Sequence, residues 1–94
     1  MFIISLSYQG PLDAIDAALP RHAEWLRDGY ARGIFVMSGR KVPRTGGMIF
    51  AVGEREEIER KLESDPFKLA GLATYDITEF APTMVADGLE RLQQ

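Results

Sequence analysis

The sequence contains no cysteine and only one histidine, His22, among its 94 residues. Without cysteine, the chain cannot form a disulfide, a thiolate nucleophile or a thiolate metal site. A single histidine also leaves any multi-histidine metal site without ligands. The sequence therefore predicts a protein that uses no metal and no cofactor, and whose chemistry depends on very few side chains.

A basic charge balance and a long apolar run are also missing. The formal net charge is −3, which argues against binding to nucleic acid or to an anionic membrane surface. No apolar run approaches the roughly 18 residues that a membrane span requires. The N-terminus enters a strand pattern directly, without the features of a secretory signal. We therefore expect a cytoplasmic protein.

Length and composition favour one globular domain over residues 1–94, with a core over 1–82 and a C-terminal tail over 83–94. Hydrophobic residues make up 46% of the chain and charged residues 27%, which is the ordinary balance of a folded domain. Period-two alternation and apolar runs bounded by turn residues predict four strands. These strands cover Phe2–Tyr8, Ile34–Ser38, Met48–Val52 and Thr74–Ala81.

Between the first two strands, the sequence predicts a short helical turn and then a main helix. The turn covers Leu12 to Leu19, and Pro20 is interpreted as the first residue of a helix that ends near Arg32. The apolar stripe of this helix is expected to consist of Leu19, Ala23, Leu26 and Tyr30, which recur at helical spacing. Gly33 follows as the stop signal.

Two further helical segments are expected in the second half of the chain. One runs from Gly53 to about Glu63, and the other begins with Asp65 as N-cap and Pro66 at the first helical position. A terminal helix from Met84 to Gln94 is also possible.

The resulting βαββαβ order favours an α+β, ferredoxin-like domain, in which an antiparallel four-stranded sheet carries both helices on one face. The second and third strands are apolar on both sides, so two helices cannot cover them. Pairing of the open face with a second copy of the chain is the simplest remedy. The alternative is that the C-terminal segment folds back over that face.

His22 and Asp65 form the one plausible reactive pair. His22 stands about 40° around the predicted helix from Leu26, at the border of the apolar stripe, and therefore has access to a cleft. On the predicted boundaries it lies in the first helical turn, where the helix dipole favours a neutral ring. The alternative interpretation is a helix histidine without a role. Asp65 is explained by capping alone, although its second oxygen remains free to contact an imidazole.

A possible ligand-binding segment lies where the second strand enters the hairpin loop. Ser38, Gly39 and Arg40, followed by Lys41 and Arg44, could hold an anionic group. The alternative is a solvated loop whose charges protect an edge strand.

The proline-led His22, the pair Ser38-Gly39 at the end of the second strand, and Asp65-Pro66-Phe67 after the second helix occur in an order that resembles the YciI-like family. The resemblance covers residues 1 to about 82. It implies a dimeric α/β barrel, similar in fold to muconolactone isomerase. Many members have proline after the strand-two glycine, whereas this chain has Arg40.

The resemblance also implies function. Members carry a His–Asp pair proposed as the active site, which corresponds here to His22 and Asp65. Those members that are placed in pathways lean towards lyase or isomerase steps in aromatic breakdown. We therefore expect a cofactor-independent enzyme that binds a small anionic or aromatic ligand with Ser38, Gly39, Arg40 and Phe67. The alternative is a non-catalytic dimeric module that binds a small molecule or another protein.

Overall fold

The computed structural model describes all residues from 1 to 94 and has the predicted βαββαβ order. The elements are β1 (Phe2–Tyr8), α1 (Leu12–Ala31), β2 (Phe35–Arg40), β3 (Gly46–Ala51), α2 (Arg55–Glu63), α3 (Pro66–Leu69) and β4 (Ala73–Glu79), with a short 3-10 helix at Glu90–Leu92. The four strands form one antiparallel sheet in the order β2-β3-β1-β4. This confirms the α+β, ferredoxin-like fold. None of the helices combines the length and the apolar character needed to span a membrane.

The alternation of β1 divides the sheet into a covered face and an open face. Phe2, Ile4 and Leu6 are buried beneath the helices, whereas Ile3 and Ser5 point to the other side and are half-buried. The antiparallel register carries this division across the sheet, because directly paired residues share a face. The core therefore lies in a single layer between the helices and one side of the sheet.

The first helix differs from its prediction, because α1 is continuous from Leu12 to Ala31 and Pro20 lies inside it. An internal proline removes one backbone hydrogen bond and costs about 3 kcal/mol. Ile15 and Ala18 before it lie on the same buried stripe as the residues after it, so their burial holds the helix together across Pro20. The helix-dipole argument for His22 is accordingly wrong, since His22 is in the middle of the helix.

The buried stripe of α1 also differs from the predicted one. It consists of Ile15, Ala18, His22, Trp25 and Gly29, one position away from the predicted stripe. Gly29 belongs to it because α1 touches β2 there. A Cβ atom at Gly29 would lie within 2.1 Å of the ring of Phe35.

The predicted hairpin and the predicted cap of α3 are present in the structure, whereas the predicted C-terminal helix is not. The hairpin of β2 and β3 is confirmed, and Asp65 caps α3 by accepting a hydrogen bond from the backbone N–H of Phe67 at 3.0 Å. The C-terminal helix is wrong: only the 3-10 turn at Glu90–Leu92 forms there, and Leu92 is its one buried side chain. The segment instead turns back, with the N–H of Gln94 donating to the carbonyl of Pro82.

Candidate functional site

His22 and Asp65 meet inside the helical layer. His22 projects from the middle of α1, and Asp65 stands at the junction of α2 and α3. The Nδ1 atom of His22 lies 2.8 Å from Oδ1 of Asp65. The side chain of Asp65 is completely buried, and that of His22 is 10% exposed. The fold therefore brings the two predicted residues into direct contact.

Three hydrogen bonds engage both oxygens of the Asp65 carboxylate. Oδ1 contacts His22 and accepts from the backbone N–H of Phe67, and Oδ2 accepts from the hydroxyl of Tyr75 at 2.6 Å. An ionised carboxylate only accepts hydrogen bonds, so the proton of a neutral His22 ring lies on Nδ1. Nε2 then carries the lone pair.

Tyr75 completes this arrangement from β4. Partial burial raises the pKa of Tyr75 well above its usual value, and the hydrogen bond to Asp65 raises it further by a smaller amount. Its hydroxyl therefore keeps its proton and remains a donor to the carboxylate. The sequence does not mark Tyr75 as a site residue, because the alternation of a strand does not reveal a polar contact with a distant element.

Aromatic packing holds the His22 ring in place. The ring stacks on Phe67 with a centroid distance of 4.1 Å and an interplanar angle of 12°, and on Trp25 at 5.4 Å. The indole N–H of Trp25 contacts both the carbonyl of Lys61 and the hydroxyl of Ser64, each at 3.0 Å. Trp25 thus ties α1 to the segment that carries Asp65.

A cavity of about 190 Å³ lies beside His22, between α1 and the hairpin end of the sheet. Its wall is mainly apolar or bare backbone, from Leu6, Tyr8, Leu19, Leu26, Gly39, Gly46, Gly47, Met48 and Ile49. The Nε2 atom of His22 makes no hydrogen bond within the chain, yet it is not closed off from the surroundings. His22 therefore lines an apolar cavity and has a second ring nitrogen, Nε2, without a partner in the chain.

Ser38, Gly39 and Arg40 all border this cavity. The hydroxyl of Ser38 is 2.7 Å from that of Tyr30. Arg40 makes no ion pair and also borders an adjoining open groove. Its two neighbours in the predicted cluster are engaged elsewhere: Lys41 donates to Ser7 and Arg44 pairs with Asp16.

Phe67 occupies a different place from the other three residues predicted to bind substrate. It is 1% exposed and does not border the cavity. Its ring lies against His22 and edge-on to Tyr8 at 5.8 Å. The structure thus gives Phe67 a contact with the imidazole and none with the cavity.

No three histidine, cysteine, aspartate or glutamate side chains lie close enough together to hold a metal ion.

The comparisons with known proteins agree with this fold. The solved structure of the 5-chloro-2-hydroxyhydroquinone dehydrochlorinase TftG from Burkholderia phenoliruptrix AC1100, in complex with 2,5-dihydroxybenzoquinone, is similar to this chain with a TM-score of 0.72 and 18% sequence identity. The similarity covers 87% of this chain and 95% of the dehydrochlorinase. No curated protein matches the chain in sequence. The profile of the YCII-related domain matches residues 1–81, and the chain therefore belongs to the YCII-related domain family.

Proposed function

We propose that this protein is a cofactor-independent enzyme of the lyase or isomerase type that acts on a small cyclic or aromatic-derived acid. One observation carries the proposal. His22 has one ring nitrogen held by the buried Asp65 and the other without a partner in the chain, and the residue lines an apolar cavity. A histidine held in this way is a candidate general base whose second nitrogen meets a ligand.

In the proposed reaction, Nε2 of His22 removes a proton from a carbon next to a carbonyl group. The electron pair of the broken C–H bond moves towards the carbonyl oxygen and gives an enolate. His22 then holds two ring protons, and the carboxylate of Asp65 stabilises the positive ring. In an isomerisation the proton returns to another carbon. In an elimination the electron pair instead expels a leaving group such as halide, and the second product is the acid of that group.

The rate contribution of one positioned acid–base group limits the substrate class. Such a group accelerates a reaction roughly 10²- to 10⁴-fold, which is adequate for a C–H bond that is already acidic. Cyclic enones, lactones and halogenated hydroxyquinones have such bonds. The dehydrochlorinase of similar fold binds 2,5-dihydroxybenzoquinone, which is also a hydroxylated six-membered ring with carbonyl groups.

The cavity supports a single-ring ligand. A cavity of roughly 150 Å³ in another protein accommodates benzene, so about 190 Å³ is adequate for one ring with few substituents. Arg40 borders the cavity without an ion-pair partner. A guanidinium in this position is suited to the carboxylate of a ring acid.

We further propose that the protein acts as a homodimer. Ile3, Met37 and Phe50 form a row on the open face of the sheet, because Phe50 pairs with both of the others. Met37 is 50% exposed, and the other two are half-buried. Burial of several hundred Å² of such surface on each partner contributes on the order of 10 kcal/mol before the costs of association.

The test of the enzymatic proposal is proton exchange in deuterated water. Cyclic enones, lactones and hydroxyquinones, each with and without a carboxylate, are incubated with the protein, and the loss of the ring C–H signal is followed by proton NMR. We expect His22→Gln to slow this exchange at least about 100-fold for the substrate class. Arg21→Gln changes the exposed neighbour of His22 on α1 and should leave the rate unchanged.

Ligand binding is measured in parallel by thermal unfolding, since a ligand at 100 times its dissociation constant adds about 2.7 kcal/mol to stability. A ring acid that stabilises both the wild type and His22→Gln, without any C–H exchange or product, would contradict the enzymatic proposal. That result would instead favour the non-catalytic binding module.

A further inference from the structure

We propose that Tyr75 is a positioning residue, whose hydroxyl holds the Asp65 carboxylate in the orientation that keeps His22 Nε2 directed at the cavity. The proposal rests on the proposed role of His22. Tyr75 has no place on the cavity wall, so it does not touch a ligand there. Tyr75 acts on His22 through its hydrogen bond to Asp65.

The geometry of the carboxylate is the basis for this inference. Asp65 sits in a fully buried position, so neither of its oxygens has water as a substitute partner. Oδ1 accepts from the backbone N–H of Phe67 and also contacts His22. Tyr75 is the one group in the chain that donates to Oδ2. A buried carboxylate oxygen without a donor is costly. Loss of the hydroxyl is therefore expected to turn the carboxylate and to weaken its contact with His22.

The three donors of Asp65 come from separate parts of the fold. The imidazole belongs to α1, the amide to α3 and the hydroxyl to β4. The amide of Phe67 alone anchors one oxygen and leaves rotation of the carboxylate about the Cβ–Cγ bond open. A second anchor at Oδ2 removes this rotation. The hydroxyl of Tyr75 thus fixes the plane in which His22 meets the carboxylate.

The first measurement needs no substrate. His22 is the only histidine, so its ring signals in proton–nitrogen NMR are unambiguous. In the neutral ring of the wild type, we expect a slowly exchanging proton on Nδ1 and a bare Nε2. In Tyr75→Phe the Nδ1 proton should exchange faster and the bare Nε2 state should be less populated.

The second measurement is the rate of C–H exchange. We expect Tyr75→Phe to lower kcat roughly tenfold, the size expected for a lost hydrogen bond to a charged group, with KM unchanged. The same substitution should have no further effect on the rate in an Asp65→Ala background, because its partner is then absent. Lys68→Gln is the matched control, since Lys68 lies 5.4 Å over the Tyr75 ring and leaves the hydroxyl intact.

The outcomes separate this proposal from the proposed function. Altered Nδ1 signals in Tyr75→Phe support positioning even where no substrate reacts with the wild type. Unchanged Nδ1 signals would overturn it, whatever the wild-type activity. A fall in melting temperature with unchanged NMR signals and kcat would also overturn it, by showing a purely structural role. Should Tyr75→Phe not fold, the wild type decides, because a rapidly exchanging Tyr75 hydroxyl proton would contradict the bond.

Discussion

His22 and Asp65 are 43 positions apart in the chain, and their side chains are 2.8 Å apart in the fold. The contact joins the middle of α1 to the start of α3. A buried carboxylate is stable only with charged or hydrogen-bonding partners, so Asp65 has a structural role as a cap and as an anchor for the imidazole. Substitution at Asp65 can separate these contributions.

We expect Asp65→Asn to lower the free energy of unfolding by about 1 kcal/mol, because the amide oxygen still caps α3 and accepts from His22. Asp65→Ala should lower it by about 3 kcal/mol, because it removes the cap and leaves the His22 N–H and the Tyr75 hydroxyl without a partner. Urea denaturation at pH 7 measures both. Equal losses in the two variants would show that the hydrogen bonds of Asp65 do not stabilise the fold.

The raised pKa of Tyr75 predicts that the folded protein loses stability at alkaline pH. Burial, together with the hydrogen bond to Asp65, raises the pKa of Tyr75 in the folded state above its ordinary value of 10.0. The unfolded chain therefore releases this proton first as the pH rises. The stabilisation is fully present below about pH 10 and is lost above it.

The measurement is chemical denaturation of the wild type and Tyr75→Phe between pH 8 and pH 11.5. The free energy of unfolding of the wild type should decline more steeply above about pH 10 than that of Tyr75→Phe. Parallel curves for the two proteins would show that the ionisation of Tyr75 is not linked to folding.

The strands and the cap of α3 were predictable because their signals are local. Alternation in β1 and the Asp65-Pro66 pair need no knowledge of distant residues. The orientation of α1 was not predictable in the same way, since its buried stripe contains His22 and Gly29, which hydrophobicity does not mark as core. Burial of a histidine depends on Asp65, and burial of a glycine depends on Phe35. Both partners lie outside the helix.

The site could be predicted in part for the same reason. His22 and Asp65 stand out as titratable groups beside helix signals, and the structure places them together. Tyr75 did not stand out, because its contact with Asp65 depends on how β4 lies beside α3. The burial of Phe67 away from the cavity likewise follows from ring stacking on His22, which is a property of the packed helices.

Gly47 is expected to set the size of the ring that the cavity accepts. It borders the cavity and pairs with the buried Leu6, so a side chain at this position would project from the covered face of the sheet. A Cβ atom there would meet only the carbonyl of Gly39, at 3.2 Å. Gly47→Ala should therefore fold with a change in stability of about 1 kcal/mol or less.

The affinity of Gly47→Ala for a substituted six-membered ring acid should fall at least about tenfold, since one methyl group in a tight pocket has an effect of this size. A five-membered ring acid with the same carboxylate serves as the internal control and should bind with unchanged affinity. Titration calorimetry measures both. Equal losses for the two rings would show that Gly47 does not control ring size.

The dimer proposal predicts that the open face of the sheet is sensitive to charge. The wild type should have a mass near twice 10.5 kDa by light scattering at micromolar concentration. Met37→Glu and Phe50→Glu each place a carboxylate in the apolar row on that face. Burial of an unpaired carboxylate is strongly unfavourable, so both variants should dissociate to monomers.

Leu69→Glu is the matched control for the dimer. Leu69 is an apolar residue of α3 that is 75% exposed, and α3 is not part of the sheet. A carboxylate at Leu69 should therefore leave the mass of the dimer unchanged. Dissociation by Leu69→Glu but not by Met37→Glu would place the interface on the helical side. A wild type that is a single 10.5 kDa species at micromolar concentration would contradict the dimer, because an apolar face that contributes on the order of 10 kcal/mol to association should be paired under those conditions.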